Sequence, residues 1–427
     1  MKPILFIAIA CICLLFSCQE QKITNTEDYK TYIETQDISI KEGTLHKLQF
    51  WNARIKQDST QIIALGKSAQ EYATLFKTTG DITFLKKAEA VIRKATHKAY
   101  IGKDTYLRSL AHNLITQHRF KEAAVALQEA QRIAPNKRET HLMQFDVAME
   151  LGNYLTAETY LYLVTDFSDF NYLIRLAKWK DHIGNLDAAI HYMEQASDIV
   201  NRKKDTELQI WSYTNLGDYY GHAGRIKDSY AHYLKALQLD PYNAYAKKGI
   251  AWITYSHEKN PEEALRILDA IQKQHQSPDY FLLKAEIADY QSKYALKNEY
   301  LNSYFQSIQN PEYGDMYNTY TAEILLNEHK DYNTVIEIAQ KEIENRPTPQ
   351  SYDLLAYAYQ QKGEYAKALA IAQKHIENKT YEPTVQFHLA EIYKANGLHD
   401  KVASIKKELL EASYELGPVT TRAIYNL

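Results

Sequence analysis

Apolar positions return along this chain in a register of 34 residues. Leu355, Ala356, Tyr359 and Gly363 come back as Leu389, Ala390, Tyr393 and Gly397, and Phe120, Ala123 and Leu127 come back as Tyr154, Ala157 and Leu161. A fixed period of this length marks a stack of like supersecondary units. The residue types within a unit predict a helical hairpin. In Leu216-Gly217 and Leu355-Ala356 a large apolar residue precedes a small one, so a neighbouring helix can approach beside a filled gap. Gly224, Gly363 and Gly397 fall where a first helix, A, must end and the chain reverse, a place that often needs positive φ. Ala123, Ala157, Ala189 and Ala368 then lie in a second helix, B, at its close contact with A, while Pro135, Pro241 and Pro347 sit near unit ends. Upstream, Leu45, Leu48, Trp51 and Ile55 form an apolar stripe that predicts helix from about Gly43.

The N-terminus follows a different pattern. Lys2 precedes an apolar run from Ile4 to Phe16, too short to span a bilayer core that takes about 20 helical residues, but long enough for a secretory signal. Leu15-Phe16-Ser17-Cys18 then resembles the bacterial lipobox, in which the cysteine becomes the acylated first residue. The resemblance implies a signal peptide over 1–17 and a lipid on Cys18. Residues 18–42 are polar and weakly periodic, and read as a flexible tether with an end-to-end distance of roughly 25 Å.

The repeat itself resembles the tetratricopeptide repeat. Ile210 to Asn243 carries Leu216, Gly217, Tyr220, Gly224, Tyr233, Ala236 and Pro241 at that family's positions. Units tile from near Gly66, Asp104, Arg138, Phe170, Ile210, Ala244, Pro278, Met316, Pro349 and Pro383. An insertion is expected around Ile82 to Leu85, and a lengthened, flexible turn around Lys203-Lys204-Asp205. The Pro278 unit lacks the turn glycine and the helix B alanine. The resemblance implies an all-α, right-handed solenoid of about ten units over 43–416, with 417–427 as a C-terminal cap. It also implies that A helices line a concave face, which would carry Trp211, Asp218, Tyr245, Lys248, Trp252, Tyr255, Tyr317, Tyr320, Asp353, Tyr357, Phe387 and Glu391. Aromatic anchors with a few charges suit a protein or peptide partner. The Lys and Asn pair of the family members that clamp C-terminal carboxylates is missing, since Trp252 stands where Asn would follow Lys248.

Composition narrows the function further. The 427 residues carry a net charge of -3, which disfavours a nucleic-acid partner because neutralising many phosphates needs basic excess. All three cysteines lie at or before Cys18, so a processed chain would have no thiol for disulfide or metal. No phosphate loop, G-x-S-x-G elbow or H-E-x-x-H helix occurs, so neither enzyme nor cofactor is expected. His388, Glu391 and Asp353 form the one set with metal-ligand character, and a hydrogen-bonded His–carboxylate pair is the simpler account of it. The 35 tyrosines suit both helix packing and wet interfaces. The expectation is therefore a bacterial lipoprotein with a long repeat array, an extracytoplasmic scaffold whose groove takes a protein partner. Gln19 is not the aspartate that resembles an inner-membrane retention signal, so the outer membrane is favoured. The alternative is a glycan-binding surface lipoprotein, by resemblance to starch-utilisation lipoproteins with exposed aromatic rings; the remote one is a metal-dependent enzyme. Cys18→Ala should move the protein from the membrane fraction to the soluble fraction, and unchanged partitioning on fractionation would remove the anchor.

Overall fold

The computed structural model describes residues 22–35, 39–55 and 61–427. Cys18 and the signal expected over 1–17 lie outside the described residues. Two helices come first, α1 (Thr26–Glu34) and α2 (Ser39–Asn52). Ten hairpins follow, each a helix A and a helix B. Units 1 to 4 are α3 (Ile62–Thr79) with α4 (Ile82–Lys98), α5 (Lys103–Thr116) with α6 (Phe120–Ile133), α7 (Arg138–Glu150) with α8 (Tyr154–Leu163), and α9 (Phe170–His182) with α10 (Leu186–Lys203). Units 5 to 7 are α11 (Thr206–His222) with α12 (Ile226–Leu239), α13 (Ala244–Trp252) with α14 (Pro261–Gln272), and α15 (Asp279–Tyr290) with α16 (Tyr294–Ile308). Units 8 to 10 are α17 (Asn318–Ile324) with α18 (Tyr332–Asn345), α19 (Pro349–Gln361) with α20 (Tyr365–His375), and α21 (Pro383–Ala395) with α22 (His399–Glu411). One further helix, α23 (Ser413–Tyr425), closes the chain.

The hairpins fold for the reasons the pattern gives. Gly224, Gly363 and Gly397 take the left-handed conformation at the A–B turn, with φ of 70°, 89° and 73°. The Pro278 unit makes the same turn through Ser292, at φ 58°. In unit 5 the Tyr233 ring lies between Gly217 and Gly249, where any Cβ would come within 2.6 Å and 2.4 Å of it. Two expected irregularities are absent because longer helices absorb the extra residues. Ile82–Leu85 is no inserted loop but the first turn of α4, whose N-terminus Asp81 caps by accepting from the Thr83 N–H. Around Lys203-Lys204-Asp205, α10 runs for 18 residues, Lys204 alone reverses the chain at φ 53°, and Asp205 caps α11.

Many tyrosines earn their place as ties between helices. Tyr220 donates to Glu194 at 2.6 Å, Tyr233 and Tyr245 both donate to Asp218 at 2.6 Å, and Tyr255 donates to Glu286 at 3.0 Å. Each bond lets a ring satisfy its polar tip while bridging two elements, with Tyr220, Tyr233 and Tyr255 buried and Tyr245 exposed. Successive A helices pack closer to one another than successive B helices do, so A helices line the inner wall and the stack curves.

The curvature is tight enough that the coil meets itself. The A–B turn of unit 1 lies on the connection after unit 6, where the Gln276 N–H donates to Thr79 O at 2.7 Å. The turn of unit 3, at Gly152, abuts Pro347 after unit 8, and that of unit 4, at Gly184, abuts Tyr381 after unit 9. In each case the stagger is five units. Arg346 meets Glu150 at 3.6 Å across the same seam, and Lys77 of unit 1 meets Glu207, in the first turn of unit 5, at 3.7 Å.

Both ends of the chain depart from the sequence expectation. Residues 22–35, expected to be flexible tether, form a capped helix docked more than 200 residues away in sequence, on the outer side of units 5 and 6. The polar segment hides one buried stripe, Tyr29 and Ile33, which enters the core beside Tyr230 and Ile267. The C-terminal cap starts at Ser413 and bends at Gly417, and it does more than cover unit 10. Leu416 and Ile424 pack on Phe387 and Leu409, while Tyr414 reaches the inner wall of units 5 and 6.

Gly80 and Gly363 separate backbone strain from seam contact. Both have positive φ, but a Cβ at Gly363 would meet nothing, whereas at Gly80 it would sit 1.9 Å from Gln276 O. Gly363→Ala should therefore cost about 1 kcal/mol, and Gly80→Ala a further 1–3 kcal/mol or so from overpacking. Thermal unfolding midpoints should rank wild type, then Gly363→Ala, then Gly80→Ala; equal loss in the two variants would contradict the seam.

Candidate functional site

The A helices of units 6, 7 and 8 and the C-terminal helix enclose a groove of about 520 Å³ on the inner wall. Lys248 and Trp252 come from α13, Asp279, Glu286 and Asp289 from α15, Tyr320 and Glu323 from α17, and Val419 and Thr420 from α23. Lys297 and Glu328 complete its charge, leaving five carboxylates against two ammonium groups. Lys248 lies 3.6 Å from Asp279, and Lys297 bridges Asp289 at 3.2 Å and Glu328 at 2.6 Å.

Trp211, Tyr245 and Tyr320 present rings to solvent, at 40%, 56% and 46% exposure. Tyr317 is half-buried and stacks edgewise on Tyr304 and Tyr313. Asp218, expected as a free recognition charge, is instead the shared acceptor of Tyr233 and Tyr245. Trp252 is committed as well: its indole N–H donates to Tyr414 O at 3.1 Å, beside the Ser256 hydroxyl, which donates to the same oxygen at 2.6 Å. The π turn Ile253–His257 that extends α13 carries Ser256 to that point. Tyr255 is fully buried, its ring edge-on to Trp252 and Tyr290.

The remaining expected anchors lie in the packed wall of units 9 and 10. Asp353, Tyr357 and Phe387 are buried, not open to a visitor. Phe387 is covered by Leu416 and Ile424 of α23. His388 Nδ1 lies 2.8 Å from Asp353 Oδ2, its ring stacks on Tyr357 at 3.7 Å, and Tyr357 donates to Glu391. Burial works against the imidazolium, but Asp353, Glu323 and Glu391 outweigh it and hold the His388 pKa above its ordinary value. This is the pair that ties two A helices. Among the described residues no group of three His, Cys, Asp or Glu side chains is arranged to hold a metal ion.

Two features of the surface were missed. The first is the roof over the groove. Gly417, at φ 76° and ψ 166°, comes so close that a Cβ there would lie 2.6 Å from Glu286 Oε1 and 3.0 Å from Trp252. Its only sequence signal is Gly417-Pro418 inside the terminal segment. The second is an apolar outer patch on unit 3, where Leu155, Tyr162 and Leu163 are exposed. They stand in register with Lys121, Gln128 and Glu129 of unit 2, a substitution pattern legible in the alignment of the repeats.

Burial pushes the Glu286 carboxyl up to about 7, against the opposing Tyr255 hydroxyl, with Asp289 adding to the rise. A folded pKa above the unfolded one means that stability is fully present below the unfolded carboxylate value and is lost as pH rises towards 7. Glu286→Gln should leave stability near pH 4 little changed and raise it at pH 8 by about 2 kcal/mol. Denaturation across that range showing the same slope in both proteins would contradict the assignment.

Three tetratricopeptide-repeat family models match the chain, over residues 169–241, 222–287 and 349–379. No curated protein matches it. Among solved structures it is similar to a tetratricopeptide repeat protein from Parabacteroides merdae, at 13% identity and TM-score 0.38, over 58% of this chain and 93% of that one. PilW, a widely conserved type IV pilus biogenesis factor, is similar at 14% identity and TM-score 0.39, over 50% of this chain and 96% of that one. Yeast Tom70 is similar at 11% identity and TM-score 0.36, over 82% of this chain and 92% of that one. Each is a likeness of fold alone.

Proposed function

We propose that this chain, a tetratricopeptide-repeat protein, works as an adaptor outside the cytoplasm, held to a bacterial membrane by a lipid on Cys18. The outer membrane is the favoured site. Its inner groove, from Trp211 to Tyr320, would take an extended segment of a partner protein. The observation that carries this reading is the groove itself, lined by Lys248, Trp252, Glu323 and the well-exposed Tyr320, with Trp211 and Tyr245 exposed on the A helices of units 5 and 6. Exposed aromatic rings supply anchor area at low entropic cost. The excess of carboxylates favours a segment that brings Lys or Arg along with apolar side chains.

Glycan binding has less support than the sequence alone offered it. Of the rings that would stack on sugars, Trp252 is tied to Tyr414 and Tyr255 is buried.

A photo-crosslinking residue at Tyr320 or Tyr245 tests the groove in the intact cell, with the outer-face position Tyr162 as control. The expected result is one protein adduct shared by Tyr320 and Tyr245, absent at Tyr162 and weakened at high salt. Adducts no different from those at Tyr162 would overturn the groove as the binding site.

A further inference from the structure

We infer that the N-terminal segment is a rigid mount, which turns a lipid anchor into a fixed presentation of units 5 and 6 towards the bilayer. The inference rests on the acylation of Cys18 proposed above. A flexible tether over 18–42 would leave the coil free to present any face. The described part of that stretch is docked instead. Glu258, at the end of unit 6's helix A, accepts from the Ile23 N–H at 2.8 Å, from the Thr24 N–H, and from the Thr24 hydroxyl at 2.9 Å. The Tyr230 hydroxyl on α12 meets both the N–H and the carbonyl of Asn25, at 3.2 Å and 3.1 Å. Asn25 then caps α1, and Tyr29 enters the core fully buried, its hydroxyl donating to Glu263 at 2.6 Å. At the far end Gln274 donates to Thr35 O at 2.9 Å.

These contacts bind both backbone and side chains from Ile23 to Thr35, so only the five residues Cys18–Lys22 separate the lipid from the first docked residue. Five extended residues reach about 17 Å at most, shorter than the roughly 25 Å average span of the whole tether. Ile23 and Asn25 lie beside Glu258 and Tyr230, so a lipid five residues upstream would keep the outer side of units 5 and 6 nearest the bilayer. Unit 3 lies about half a turn of the coil away, because unit n meets the connection after unit n+5. The apolar patch of α8 therefore faces away from the bilayer.

Energy transfer on vesicles tests this. The acylated full-length protein has no other thiol once the signal is removed, so single cysteines introduced as Lys227→Cys, on α12, and Leu155→Cys, on α8, can carry a donor dye. The acceptor is a headgroup-labelled lipid in phosphatidylethanolamine/phosphatidylglycerol vesicles. The expected result is higher transfer from position 227 than from 155, and loss of that difference when Tyr29→Ala undocks α1. Circular dichroism of the Tyr29→Ala chain checks that the ten hairpins remain folded. Trypsin gives a second reading, since Lys30 lies in mid-α1 and should be cut slowly in the native protein and quickly in Tyr29→Ala. Equal transfer from both positions in protein that stays on the vesicles, or fast cleavage at Lys30 in the native chain, would overturn the mount and leave the anchor standing. Protein that never binds the vesicles would overturn the anchor itself.

Discussion

The structure depends on the seam where the coil's second turn lies on its first. A stack of hairpins gains most of its stability from neighbour interfaces and can in principle remain an open ribbon. Here the inner packing of the A helices is close enough that unit 1 reaches the connection after unit 6. A backbone hydrogen bond from Gln276 to Thr79, close glycine approaches at Gly80, Gly152 and Gly184, and ion pairs such as Arg346–Glu150 then hold the two turns together. Contacts between residues far apart in sequence add a cooperativity that nearest-neighbour stacking lacks.

Unit 6 bears the first and the last of the described helices. The N-terminal helix lies on its outer side through Glu258, Glu263 and Gln274, and the C-terminal helix lies on its inner side through Trp252 and Ser256. The π turn between Trp252 and Glu258 links the two clamps within a few residues. The inner wall is therefore partly occupied by its own chain at units 5 and 6 and open towards α15 and α17. A partner in the groove would touch α23 directly, at Val419 and Thr420.

Local features were legible in the sequence, and long-range ones were not. The helical hairpin was legible in the 34-residue register, because each fold decision there involves residues within one unit. Helix ends were harder: the extra residues at 82–85 and 203–205 read as loops, but caps at Asp81 and Asp205 let helices continue instead. Docking of residues 22–35 was hidden because its partners lie more than 200 positions away and only Tyr29 and Ile33 mark the buried stripe. The aromatic stripe divides between open and packed rings. Trp211, Tyr245 and Tyr320 are open, whereas Tyr255, Tyr357 and Phe387 are consumed by contacts with the next unit or the terminal helix.

Closure of the coil can be tested at Lys77 and Glu207, which pair across the seam at 3.7 Å although four units separate them along the stack. With Lys77→Cys and Glu207→Cys in one chain, a short bifunctional thiol reagent should link the two positions within the molecule, at a rate independent of protein concentration. An open ribbon would leave the pair unlinked, or linked only between molecules as concentration rises, and that result would contradict the closed coil.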